Sequence, residues 1–153
     1  LQQIQVLVPL FHYYKGQHAP CFEDLASGRG LPLDYDFLTG QPNNWDALKI
    51  VNAAKSGDEK AKLAMQNHYK YFLRVAKSVA CGMHCNSVVM ALSNQVANKW
   101  LIEQIVPSLE AEFKDTSEWK AVQDISVYSQ TTEINVNMIG TNYMAHYAAR
   151  HII

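Results

Sequence analysis

Between Gly57 and Gly82 the chain runs for 24 residues without a glycine or a proline. Ala61, Ala64, His68, Phe72, Val75, Ala76 and Val79 recur there at spacings of three and four. That period places them on one stripe of a helix, and Asp58 stands where a cap is wanted. A helix of this length must bury its stripe against other elements, so the chain needs a layered core. His68 falls on the apolar stripe and reads as a core histidine.

The flanking segments suggest what the other layers are. Ile4, Leu7, Phe11 and Tyr14 have helical spacing, with Pro9 as a kink or a fresh start. Residues 16–43 hold Gly16, Pro20, Gly28, Gly30, Pro32, Gly40 and Pro42, and read as loop-rich ground with short ordered pieces. Asn44 is positioned to cap a helix to about Ser56, stopped by Gly57, with Trp45, Leu48, Val51 and Ala54 on one face. Val88 to Leu92 is a short apolar run, as expected of a strand buried on both faces. A helix over about Asn98 to Lys114 should break, or begin a new first turn, near Val106, ahead of Pro107. A helical turn at Trp119 to Asp124, a strand at Ile125 to Tyr128 and a last helix from about Asn137 to Arg150 complete the pattern. Helices and strands in alternation predict an α/β fold, with too few strands here for a complete sheet.

Composition narrows the function classes. Of 153 residues, 48% are hydrophobic and 18% charged, which suits a globular domain. The net charge of −1 gives no reason to expect nucleic acid as a partner. No apolar run approaches a membrane span, and a membrane is not expected either. Three cysteines, Cys21, Cys81 and Cys85, make no disulfide framework; a reducing, cytoplasmic setting fits them. The first residue is Leu and nothing near it resembles a leader, so we expect a piece of something longer. Cys81-Gly82-Met83-His84-Cys85 offers at most three soft ligands, and no metal is assigned to it.

The segment Phe22-Glu23-Asp24-Leu25-Ala26-Ser27-Gly28-Arg29-Gly30-Leu31 carries the chemistry. Gly28 and Gly30 permit positive φ or a close backbone approach, and Ser27 can cap a following helix. A carboxylate beside such a turn suits the recognition of hydroxyl groups. A hydrogen bond to a charged acceptor contributes about 1.5–3 kcal/mol. The other reading of Glu23 is a pairing with Arg29, or a cap on the turn.

This segment resembles the bacterial glucokinase signature E-[RD]-[VL]-x-S-G-x-G-L. The rest of the chain follows the family in order, ending in Ile134-Asn135-Val136-Asn137-Met138-Ile139-Gly140-Thr141-Asn142, which is similar to its closing helix start. The resemblance implies a sugar kinase of the actin-like, RNase H-like ATPase superfamily. Such enzymes transfer the γ-phosphoryl group of MgATP to the 6-hydroxyl of glucose or a related hexose, the entry to glycolysis. It makes residues 1–153 a single domain, the helix-rich C-terminal part of such a kinase with its sheet incomplete, and it is compatible with a homodimer. Glu23 takes the position of the family's sugar-binding glutamate, with Ser27, Gly28 and Gly30 forming its turn.

The resemblance also marks what this chain lacks. The family's catalytic base (an Asp in an Asn-Asp pair), its first phosphate loop and a Gly-Glu-Gly-Gly-His stretch belong upstream. No catalytic residue is therefore expected in this chain, and alone it should be inactive. At the adenosine loop the family's Gly-Gly pair is replaced by Ser93-Asn94. Ser93, Asn94 and Gln95 are the nucleotide-side candidates. A non-catalytic sugar-binding or regulatory relative is the alternative that this replacement suggests.

Overall fold

The computed structural model describes residues 21–115, 120–132 and 136–151. Among them are eight helices and two strands: α1 (Phe22–Ala26), α2 (Gly30–Thr39), α3 (Ala47–Lys55), α4 (Glu59–Gly82), β1 (Ser87–Met90), α5 (Ser93–Ala97), α6 (Lys99–Lys114), α7 (Lys120–Gln123), β2 (Ser126–Ser129) and α8 (Val136–His151). The chain divides into two compact units, Leu1–His84 and Cys85–Ile153. The helical reading of Ile4 to Tyr14 lies outside the described residues, as do Trp119, Ile134 and Asn135.

The first unit is built around α4. Asp58 caps it as expected, its Oδ1 accepting from the backbone N–H groups of Lys60 (2.9 Å) and Ala61 (3.0 Å). Ala61, Ala64, Met65, His68, Tyr69, Tyr71, Leu73 and Ala80 are buried along it. The far end of the expected stripe differs: Val79 is exposed, and Ala80 lies inside instead. Helices α1, α2 and α3 all pack on α4.

Helix α2 corrects the loop-rich reading of residues 16–43. Pro32 falls in its first turn, where the missing N–H has no intrahelical partner to lose. Gly40 ends it in the left-handed conformation, at φ 77°. Leu31, Asp34 and Tyr35 point inward. The Tyr35 hydroxyl donates to Asp58 Oδ2 (2.8 Å), and its ring stacks on Trp45 at 5.1 Å between centroids. The cap of α4 is thereby tied to α2.

The cap of α3 is Asp46, not Asn44. Asp46 Oδ1 accepts from Lys49 N at 2.8 Å, while Asn44 adopts positive φ in the preceding turn. The buried face also differs from the expected one: Ile50 and Ala54 are buried and Leu48 is 68% exposed. Gly57, at φ 100°, follows the helix end as expected.

In the second unit, β1 and β2 pair in parallel, Ser87 opposite Ser126 through Met90 opposite Ser129. Parallel neighbours need a crossover, here α5, α6 and α7. The expectation of a strand buried on both faces is corrected. Met90 is buried, but Val89 is 58% exposed, because alternate residues face opposite sides and one side is open to solvent. Helix α6 runs unbroken through Pro107, against the expected break. An interior proline costs about 3 kcal/mol. Leu101, Ile102 and Ile105 before it, and Leu109 and Phe113 after it, are all buried and hold both halves in place. Helix α8 presents Met138, Ile139, Tyr143, Met144 and Tyr147 to solvent. Among the described residues, no helix is long and apolar enough to cross a membrane.

Candidate sugar-binding turn and strand-end polar group

The Glu23 segment forms a tight helix–turn–helix. Cys21 N donates to Asp24 Oδ2 (2.9 Å) and Asp24 N to Cys21 O (3.1 Å), which starts α1. After one turn, Ser27 N donates to Glu23 O (3.1 Å) and closes it. Ser27 does not cap α2 directly: Arg29 occupies that place. Ser27 instead braces the link from both its polar ends. Its hydroxyl oxygen accepts from Arg29 N (3.2 Å), and its carbonyl from Gly30 N (2.9 Å).

The two glycines have different roles. A Cβ on Gly30 would lie 2.5 Å from the Leu25 carbonyl oxygen and 2.6 Å from that of Asp24. Only glycine allows α2 to start that close to α1. A Cβ on Gly28 would meet nothing within 4 Å, and Gly28 does not adopt positive φ. The turn is anchored from beneath by Leu25, which is buried against Tyr71 of α4 with Ala26 packed alongside.

Glu23 and Arg29 face solvent at the top of this turn. Arg29 Nη2 lies 2.5 Å from Glu23 Oε1, with the two side chains 78% and 64% exposed. The pairing named above as the other reading of Glu23 is therefore formed. It occupies one acceptor position of the carboxylate and leaves others for hydroxyl donors.

Two buried polar groups belong to α2 and α4, the helices on which the turn packs. Asp34 of α2 is buried, and Asn67 Nδ2 of α4 donates to its Oδ2 at 3.0 Å. Burial pushes its carboxyl up to about 6, with the Asn67 bond pulling the other way. Asp34 went unnoticed in sequence because α2 itself was hidden among glycines and prolines. Its place three residues after Leu31, on the inward side of a helix, is the signal that would have found it. His68 is buried too, as the sequence suggested. Burial lowers its pKa, opposed by a hydrogen bond with the Leu25 backbone, and its Nδ1 has no partner among the described residues.

In the second unit, Ser93-Asn94-Gln95 does not form a loop. It opens α5 directly after β1. Gln95 is fully buried and used within the fold: its Oε1 accepts from Leu92 N (3.0 Å), and its Nε2 donates to Ser129 Oγ (3.2 Å) across to the end of β2. Ser93 and Asn94 are exposed at the carboxyl end of the strand. Cys21, Cys81 and Cys85 are free thiols. Among the described residues, no three His, Cys, Asp or Glu side chains converge as a metal site would require.

Comparison with known proteins puts this geometry in context. The model of the ROK family matches residues 14–147. The protein named probable glucokinase 2 of Trichomonas vaginalis is 41% identical over 145 residues, which cover 90% of this chain and 38% of that protein. Glucokinase 1 of the same organism is 39% identical, over 90% of this chain and 39% of its own length. The chain thus spans about two fifths of the curated relatives it matches. A crystal structure of glucokinase from Balamuthia mandrillaris in complex with glucose superposes with a TM-score of 0.76 at 32% identity, over 95% of this chain and 41% of that one. Leishmania braziliensis glucokinase shares the fold, with a TM-score of 0.72 at 23% identity over 85% and 36%. The helix-rich units with their small parallel sheet thus have the architecture of glucokinases of the actin-like ATPase fold, and this chain belongs to the ROK family.

Proposed function

We propose that the protein containing this chain is a glucokinase: it phosphorylates glucose at the 6-hydroxyl with ATP, and this chain is its C-terminal part and supplies part of the sugar site. The observation that carries the reading is the Glu23 turn. A carboxylate is presented to solvent on a helix–turn–helix fixed by Gly30, Ser27 and the buried Leu25. The similarity to proteins named glucokinase, one of them solved with glucose, supports the same assignment.

Phosphoryl transfer asks a protein mainly to position groups and stabilise charge. In this reading Glu23 accepts a hydrogen bond from a sugar hydroxyl and fixes the orientation of the ring. It moves no proton; the base that takes the proton of the 6-hydroxyl lies outside these 153 residues. When bound, MgATP supplies the phosphoryl group. Ser93 and Asn94 suit the adenosine side because they are polar, exposed and set at the carboxyl end of a strand, where ligands of layered α/β folds gather. Gln95 would act there indirectly, by fixing the start of α5 against β2. The free thiols agree with a reducing, cytoplasmic setting.

The test is a phosphorylation assay of the full-length protein against a panel of hexoses with MgATP. Glucose 6-phosphate formation, with glucose preferred by kcat/KM, is the expected result. Turnover of no hexose would remove the assignment.

A further inference from the structure

Glu23 has an ion-pair partner in its own turn, Arg29. The signature leaves the position between Gly28 and Gly30 open, and this chain places an arginine there. Arg29 is not an incidental neighbour. Its backbone N–H is held by Ser27 Oγ at 3.2 Å, and it immediately precedes Gly30, whose close approach to the Leu25 and Asp24 carbonyls fixes where α2 begins. The guanidinium is thereby returned over α1 to reach Glu23 Oε1 at 2.5 Å.

Resting on the assignment of Glu23 to the sugar, we propose that Arg29 is a specificity-determining residue that favours neutral hexoses over hexoses bearing an ammonium group. A lone carboxylate would serve both. It accepts from a hydroxyl, and it attracts a cation more strongly. Paired with Arg29, Glu23 keeps acceptor positions for hydroxyls while its net charge is cancelled at contact distance. An ammonium placed against Glu23 also meets the guanidinium and is repelled. Both side chains are well exposed, so water screens the effect and its size is modest. One unit charge at contact distance in such a setting changes affinity on the order of three- to tenfold.

The experiment uses the full-length protein at pH 6.5, where an aminohexose is protonated. 2-Amino-2-deoxyglucose and 2-deoxyglucose are each competed against glucose; both lack the 2-hydroxyl, and only one carries charge. In Arg29→Ala the ratio of the two apparent inhibition constants should shift three- to tenfold toward the amino sugar. Arg29→Lys should keep the wild-type ratio, and added salt should shrink the difference. A ratio in Arg29→Ala within twofold of wild type overturns the proposal. Glu23→Gln is run alongside. If it raises the KM for glucose while the Arg29→Ala ratio does not move, only the role of Arg29 falls. If it leaves that KM unchanged, the sugar-site reading falls with it.

Discussion

The two units of this chain bury their apolar residues to different degrees. In the first, α1 to α4 enclose Leu25, Leu31, Tyr35, Ile50, Met65, Tyr69 and Leu73, while Phe22, Phe37, Leu48, Leu63, Val79 and Met83 are exposed, and each of the four helices has at least one buried residue. In the second, α6 is well buried through Leu101, Ile102, Ile105, Leu109 and Phe113, but Val89, Tyr128 and five large side chains of α8 are exposed. The first unit thus has a core of its own beneath the candidate sugar turn. The second carries a short parallel pair of strands with one open face, and a helix whose apolar residues are not covered. Exposed apolar surface of this kind contributes little to stability. The difference predicts that equal truncations will have unequal effects.

The largest expected effect is in the first core. Met65→Ala should destabilise by about 2–5 kcal/mol, as other large-to-small core changes do. Met144→Ala in α8 should stay within about 0.5 kcal/mol. Urea unfolding of the two variants measures both. Equal losses would break the contrast between the units.

The next effect concerns the buried carboxyl between α2 and α4. The Asp34 carboxyl is raised from the ordinary 3.8 to about 6 by burial. The unfolded chain releases this proton at lower pH than the folded one. Stability at this residue is therefore full below about pH 4, falls as pH rises toward 6, and is level above that. The span corresponds to about 3 kcal/mol. Asp34→Asn should flatten that slope and raise stability at pH 7, because the amide keeps a partner in Asn67 without a buried charge. Thermal unfolding from pH 4 to 7.5 checks it; parallel curves for the two proteins would contradict the burial argument.

Smaller, but closer to function, is the contrast of the two glycines. Gly30→Ala forces a Cβ against two carbonyl oxygens and should cost about 1–3 kcal/mol. It should also raise the KM for glucose in the full-length protein. Gly28→Ala has open space and ordinary backbone angles, and should be neutral within about 0.5 kcal/mol. Denaturation midpoints of the pair separate a turn that needs one glycine from a turn that needs both.

How much of this was legible in the sequence depended on local chemistry. Helix α4 and its cap could be read because 24 residues without glycine or proline let the helical period show, and because an aspartate caps by a local bond. Helix α2 could not, because Gly30 and Pro32 look like loop residues unless one knows that a first turn tolerates them. The break at Pro107 failed for the converse reason: burial on both sides outweighed a local rule. Val88 to Leu92 shows the limit of reading apolar runs, since hydrophobicity does not reveal whether a second layer is present. At the site, Glu23 and its turn stood out as a motif. The Glu23–Arg29 pair was visible only as one of two readings, since a spacing of six residues does not say whether two long side chains will meet. The buried ends of Gln95 required the register of β1 on β2, which no single segment contains.

The central claim is that Glu23 orients the sugar from a turn held on the core of the first unit. The most direct test is the KM for glucose of the full-length Glu23→Ala variant. Losing one hydrogen bond to a charged acceptor predicts a rise of about tenfold or more. A KM equal to that of the wild type would contradict the account.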